Sequence, residues 1–246
     1  MTKSEIQLLR SLSDKRARTE SGLFIAEGEK LITEIREAGT LRIRKIYSLE
    51  GLFDGDNVEW VSNSEMARIS QLKSANNSVA LVEIPRYNLD ERALSEELIL
   101  MLDGVQNPGN LGTIIRLADW FGIENIICSE SSADCFNPKV IQATMGAILR
   151  VKVHYRPLEE SLKVAQEAGV PIYGTLLEGN NIYREALSPH GIVIMGNEGQ
   201  GISEVVKGFI SNKLYIPPFP ASRRGSESLN VAIATSVVCS EFRRRM

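Results

Sequence analysis

Leu98-Ile99-Leu100-Met101-Leu102-Asp103-Gly104-Val105-Gln106-Asn107-Pro108-Gly109-Asn110-Leu111-Gly112-Thr113 is the stretch on which the reading of this chain turns. Its first five residues are apolar without a break. An unbroken apolar run of strand length fits a strand covered on both faces, as in a parallel sheet between layers of helices. The same pattern returns at 125–128, 170–177 and 191–195. Helical periodicity lies between these runs, at 111–121, 138–148 and 158–168. Strands alternating with helices predict an α/β layered domain with a parallel sheet over residues 97–246. A terminal helix is predicted over 228–244. It is apolar at Leu229, Val231, Ile233, Val237 and Val238 and ends in Arg243-Arg244-Arg245, cations that suit a helix C-terminus.

Upstream lies a smaller alternating layout. Ile6, Leu8, Leu9 and Leu12 fall near helical spacing, 23–26 reads as a short strand and 28–38 as a helix. Ile43 to Leu49 alternates like a strand, Ser62-Asn63-Ser64 is rich in helix-capping residues, and Ser78 to Ile84 reads as another strand. Residues 85–96 are polar and open with proline, which predicts a linker. The expected domains are therefore 1–84 and 97–246, joined by 85–96.

Charge is unevenly spread. Residues 1–46 carry ten Lys/Arg against seven Asp/Glu, and residues 213–246 carry six against two, while the whole chain has a formal net charge of −3. A polyanion would dock on the ends of the chain and not on its middle. No apolar run reaches the roughly 18–20 residues of a membrane span. The start shows no basic region followed by an apolar stretch, so the expected compartment is the cytoplasm. The three cysteines (Cys128, Cys135, Cys239) and two histidines (His154, His190) show no metal-ligand or triad spacing, and no metal is expected.

Three loops stand where open α/β sheets bind ligands, at the ends of buried strands. The first, Asn107 to Thr113, leads into a helix bearing Arg116. With Asn110 as the cap, Arg116 would sit in the second turn and serve the same cleft; an arginine there can clamp a phosphate bidentately. The second, Gly196-Asn197-Glu198-Gly199-Gln200-Gly201, makes the backbone itself a binding surface and sets the Glu198 carboxylate within it. The third runs from Ile216-Pro217 to Ser228-Leu229-Asn230, where Ser228 or Asn230 is expected to cap the last helix. No GxGxxG or GxxxxGKS occurs, so dinucleotide and P-loop fingerprints are missing. A ligand with an adenine and a ribose but no phosphate, such as S-adenosylmethionine, fits this pattern.

Taken in order, Asn110-x-Gly112-x-x-x-Arg116, Gly196-Asn197-Glu198-Gly199-x-Gly201, and Ile216-Pro217 followed by Ser228-Leu229-Asn230-Val231 resemble the SpoU, or TrmH-type, RNA methyltransferases of the SPOUT superfamily. Gly22-Leu23-Phe24-Ile25-Ala26-Glu27-Gly28 is similar to the small ribosomal-protein-like RNA-binding domain that many members carry. The resemblance implies a C-terminal domain tied in a deep trefoil knot. It also implies a homodimer with its cleft near the subunit interface, and methyl transfer from S-adenosylmethionine to a ribose 2′-oxygen of tRNA or rRNA. Carried over by position, Arg116 is the catalytic arginine, Asn110 supports it, Glu198 is the second carboxylate, and Ser228 and Asn230 position arginine, phosphate or ribose. The cofactor contacts are Leu176, Met195, Gly196, Asn197, Gly199, Ile216, Pro217 and Leu229. Glu27 receives no catalytic role. The segment 218–227 is longer than the family's usual; its Arg223 and Arg224 are expected to add an RNA contact or reshape the substrate mouth.

Two roles are open to Arg116. It takes the hydroxyl proton while transiently neutral, or it stays cationic and clamps a phosphate while that phosphate or Glu198 assists proton removal. An arginine rarely gives up its proton, which sets the difficulty of the first. The competing functions are a non-catalytic RNA-binding protein and a nucleotide-dependent metabolic enzyme. The first would bind RNA without the cofactor; the second would bind NAD or ATP.

Overall fold

The computed structural model describes residues 1–72, 74–220 and 228–244. The chain forms two compact units: residues 1–86 with 134–149, and residues 87–133 with 150–246. Arg223, Arg224 and Arg245, singled out in the sequence, lie outside the described residues.

Unit 1 opens with α1 (Lys3–Ser11) and α2 (Lys15–Ser21), followed by β1 (Leu23–Glu27), α3 (Glu29–Ala38), β2 (Ile43–Ser48), β3 (Val58–Trp60), α4 (Asn63–Ile69) and β4 (Ser78–Glu83). Helices α1 and α4 both start on capping boxes: Thr2 with Glu5, and Ser62 with Glu65, satisfy each other's orphan amides. The sheet runs β1-β4-β2-β3. Leu9, Leu12, Ile25, Tyr47, Met66, Ile69 and Val79 close the core beneath it. Helix α2 has no apolar period (Lys-Arg-Ala-Arg-Thr-Glu-Ser) and was not expected. It is set by its ends: Asp14 accepts from the amides of Arg16 and Ala17, and Gly22 stops it at φ 67°.

Unit 2 takes over at Tyr87. The stretch read as a linker carries a short helix, α5 (Ala93–Glu96), whose Ala93 and Leu94 are buried in the unit 2 core. Two apolar residues in a polar stretch were enough to dock it. Strand β5 (Leu98–Asp103) leads into α6 (Pro108–Trp120) and β6 (Asn125–Cys128). The chain then passes into unit 1 for α7 (Pro138–Thr144) and returns for β7 (Lys152–Tyr155), α8 (Leu158–Glu167), β8 (Ile172–Asn181), β9 (Gly191–Gly196), α9 (Glu204–Lys207), β10 (Asn212–Tyr215) and α10 (Val231–Arg244). The six strands pair in parallel throughout, in the order β10-β8-β9-β5-β6-β7.

Alternation along β5 explains the unbroken apolar run. Ile99 and Met101 join Ile192 and Ile194 of β9 in a core with Leu158 and Leu162 of α8 and Val206 of α9. Leu98, Leu100 and Leu102 point to the opposite face and are buried too. Each such side chain withdrawn from water contributes about 1.5–3 kcal/mol.

Two long-range contacts help to hold residues 134–149 in unit 1. The Arg18 guanidinium, 2% exposed, reaches Asp134 through Nε at 2.9 Å and Nη2 at 2.5 Å, and donates from Nη1 to the Leu12 carbonyl at 2.7 Å. Phe24 and Phe136 pack with ring centroids 4.9 Å apart. Removing one partner of a buried ion pair leaves the other charge uncompensated, which costs more than the pair contributes. Asp134→Ala should therefore lower unfolding stability by about 3 kcal/mol in urea, followed through Trp60, the one tryptophan of unit 1. A loss below about 1 kcal/mol would show that the pair does not hold this segment.

Candidate active site

Strands β5, β9 and β10 are parallel, so their C-terminal ends lie on one edge of the sheet. The three loops noted in the sequence leave from that edge. Two side-chain amides join them. Asn110 donates from Nδ2 to Glu198 Oε1 at 2.7 Å, and its Oδ1 accepts from Asn230 Nδ2 at 3.0 Å. The two ends of one Asn110 side chain thus tie the second and third loops to the first turn of α6. Asn230 also caps α10, its Oδ1 accepting from the amides of Ala232 and Ile233 at 3.0 and 3.3 Å. Of the two residues expected to cap that helix, Asn230 does so; Ser228 is exposed beside it.

The start of α6 differs from expectation. Asn107, not Asn110, is the N-cap, accepting from Gly109 and Asn110 at 2.8 and 3.1 Å, with Pro108 in the first turn. Proline suits that position because its missing N–H would have no helical partner. Arg116 consequently sits in the third turn and not the second. Six residues at 100° each turn it about 240° from Asn110 around the axis. Arg116 is exposed and makes no hydrogen bond or ion pair among the described residues. Within one chain it does not join the Asn110–Glu198–Asn230 junction.

The second loop is closed by its backbone. Asn197 and Gly201 exchange both N–H···O bonds at 2.9 Å. The Asn197 side chain joins this loop to the end of β5: Nδ2 donates to the Gly104 carbonyl at 2.7 Å, while Oδ1 accepts from Gly199 and Gln200 within the loop at 2.8 and 3.0 Å. Asp103, which the sequence reading missed, anchors the far end of the loop by accepting from the Ser203 amide at 2.7 Å. An aspartate closing an apolar strand was the signal for it. A Cβ built on Gly196 would stand 2.4 Å from the backbone of Gly201 and Ile202, so only glycine admits this approach. The loop is a cradle built from main chain.

The remaining apolar candidates are spread over this edge. Met195 is buried at the end of β9, while Leu176 on β8 and Ile216 and Pro217 beyond β10 are half-buried. Leu229 is 50% exposed between the two polar residues that flank it, so it does not pack inward as a structural leucine would. Gly199 is exposed at the loop tip.

Cys128, Cys135 and Cys239 are buried, and burial pushes the Cys239 thiol up to about 12 and raises that of Cys128 further. His154 is buried, its Nε2 paired with Asn125 Oδ1 at 3.1 Å, and burial lowers its pKa. Among the described residues no group of three His, Cys, Asp or Glu side chains is placed to hold a metal ion, and no helix is long and apolar enough to cross a membrane.

Comparison with known proteins adds two family matches. The model of the SpoU rRNA Methylase family matches residues 97–240, more than half of the chain, and that of the MRM3-like substrate binding domain matches residues 3–80. The chain is 27% identical over 241 residues to the 23S rRNA (guanosine(2553)-2′-O)-methyltransferase RlmP of Bacillus subtilis (strain 168), covering 95% of this chain and 94% of that one. Among solved structures, a TrmH-family protein from Porphyromonas gingivalis superposes with a TM-score of 0.89 at 36% identity, covering 100% and 99% of the two chains. An AdoMet-bound rRNA methyltransferase from Sinorhizobium meliloti gives 0.88 at 28% identity, covering 100% and 96%.

Gly196 and Gly199 should differ in their tolerance of a side chain. Gly196→Ala must push apart the backbone of Gly201 and Ile202, and overpacking of this kind costs about 1–3 kcal/mol. Thermal unfolding should fall accordingly, whereas Gly199→Ala, whose added Cβ meets only the Asn197 Oδ1 at 3.6 Å, should change it little. Equal behaviour of the two variants would show that the close backbone approach at Gly196 does not shape the loop.

Proposed function

The chain belongs to the SpoU rRNA methylase family, and from that premise we propose that it transfers the methyl group of S-adenosylmethionine to a ribose 2′-hydroxyl of RNA, in rRNA or tRNA. The observation that carries this reading is the junction at Asn110, where the three family loops come together at the strand ends of one parallel sheet.

The residues fit the cofactor. A main-chain cradle at 196–201 suits a ligand recognised through backbone groups, and Met195, Leu176, Ile216, Pro217 and Leu229 supply apolar walls for its adenine and ribose. Bound there, S-adenosylmethionine supplies an electrophilic sulfonium methyl. In our reading this part of the chain is threaded as a trefoil knot, and residues 1–84 form the RNA-binding domain.

The chain's own part is to hold the ribose and handle its proton. Asn110, fixed at both ends, orients the Glu198 carboxylate; the second Glu198 oxygen stays available to the 2′-hydroxyl. Ser228 and Asn230 position the sugar and its phosphate. For Arg116 we favour the cationic clamp over the proton acceptor, because an arginine rarely gives up its proton. Positioning then supplies much of the rate.

Arg116 also bears on assembly. Trp120, four residues along α6 and so on the same face, is 82% exposed, and Ile233 on α10, which packs against α6, is 54% exposed. We infer that a second copy covers this face and that Arg116 of the partner subunit completes each site. Work on rRNA or tRNA puts the homodimer in the cytoplasm.

Thermal shift with S-adenosylhomocysteine, NAD and ATP side by side separates the readings. A bound ligand at a hundredfold excess over its Kd adds about 2.7 kcal/mol to stability; the expected response is to S-adenosylhomocysteine alone. A response to NAD or ATP favours a metabolic enzyme, and RNA binding with no response favours a non-catalytic binder. Arg116→Ala should cut methyl transfer about 100-fold or more and leave the S-adenosylhomocysteine response in place. Near-normal turnover of Arg116→Lys at raised pH would count against the clamp.

A further inference from the structure

Gly174 of β8 pairs with Ile194 of β9 on one side and with Lys213 of β10 on the other, so the residues that follow in all three strands run out at one edge of the unit 2 sheet. Among them are Leu176, Met195, Ile216 and Pro217, read above as walls of the cofactor site. Past β10 the chain goes on as Pro218-Phe219-Pro220. Phe219 is 90% exposed, more than any other large apolar side chain among the described residues. A ring left in water at the rim of a site forgoes the burial that stabilises such side chains elsewhere.

Position and chemistry restrict what can cover it. Phe219 stands two residues past Pro217, so its Cα lies within about 7 Å of that wall. Prolines on both sides hold the backbone to few conformations, so seating the ring against an occupant costs little chain entropy. The ring is on the arm beyond β10 and not on the α6–α10 face inferred above to meet a second copy. A hydrocarbon ring offers no hydrogen bond to a hydroxyl and no charge to a phosphate. It offers a flat face, and the part of a nucleotide that matches a flat face is the base. In a ribose whose 2′-oxygen meets the sulfonium methyl, the neighbouring carbon C1′ carries the base. The base of that same nucleotide is therefore the flat group delivered beside the cofactor walls.

We propose that Phe219 stacks on the base of the methylated nucleotide and holds it splayed out of the RNA strand while the 2′-hydroxyl meets the methyl donor. Recognition of single-stranded RNA works through such splayed-out bases stacked on aromatic side chains. Every base has a π-face, so the contact sets the grip on the nucleotide and leaves its identity to other groups. The proposal rests on the RNA methyltransferase reading above and deepens it by naming the side chain that grips the target nucleotide.

The test uses the full chain and a synthetic RNA fragment around the nucleotide that the wild type methylates, mapped by mass spectrometry. A second fragment carries an abasic ribose at that nucleotide, with its 2′-hydroxyl intact. Phe219→Ala removes the ring and Phe219→Trp keeps a flat face; thermal melting checks that both fold. On the normal fragment Phe219→Ala should raise KM about tenfold and move kcat far less, and Phe219→Trp should stay near the wild type. On the abasic fragment the wild type and Phe219→Ala should share one raised KM, because the base that the ring grips is gone. Both variants should keep the wild-type thermal response to S-adenosylhomocysteine and the wild-type elution volume in gel filtration. Wild-type KM for Phe219→Ala on the normal fragment, or an equal further loss on the abasic one, would overturn the assignment while methyl transfer stands. A lost response to S-adenosylhomocysteine would move the ring to the cofactor, and a smaller species in gel filtration would move it to a subunit contact; either result overturns the assignment too. Absence of methyl transfer by the wild type to both rRNA and tRNA overturns the enzyme reading itself, and this proposal with it.

Discussion

The site depends on the two-sided amide of Asn110. An asparagine side chain offers one acceptor and two donors on a rigid plane, and here that plane is engaged at both ends, by Asn230 and Glu198. The loops it joins leave three different strands and are separated in sequence by up to 120 residues. Parallel pairing of β5, β9 and β10 brings their ends to one edge, and the amide fixes them there. A shift of one strand by a residue would reverse which face its side chains meet. The continuous burial of β5 and β9 on both sides is therefore what holds the site geometry, through an interaction between atoms that are themselves near the surface.

Much of the unit 2 sheet was legible because β5, β6 and β9 are buried on both faces and so read as largely unbroken apolar runs. Strands β7 and β10 were not, since Lys152–Tyr155 and Asn212–Tyr215 are short and half polar. In unit 1, α2 escaped for the same kind of reason: its stability comes from its caps and from one buried arginine, neither of which leaves an apolar period. The three site loops and their meeting were legible from their order. The turn of α6 in which Arg116 lies was not, because it depends on whether Asn107 or Asn110 caps the helix. A shift of three residues at that start moves the arginine into another turn.

The excursion of 134–149 into unit 1 could not be foreseen. The residues that hold it, Arg18 and Phe24, are more than a hundred positions away from Asp134 and Phe136, and nothing in local sequence links them. The polar stretch 85–96 follows the same rule. Its polar composition concealed Ala93 and Leu94, which are enough to fasten α5 to the sheet. Composition describes where a segment can go; a few long-range contacts decide where it does.

The destination of the methyl group tests the central claim most directly. RNA from cells lacking the protein is incubated with the chain and S-adenosylmethionine carrying a deuterated methyl group, digested to nucleosides and fragmented in a mass spectrometer. The expected result is a label that leaves with the ribose fragment and makes the adjacent phosphodiester bond resistant to alkali, as a blocked 2′-oxygen must. A label retained on the base, or none in any RNA, would contradict a site built to act on a ribose hydroxyl.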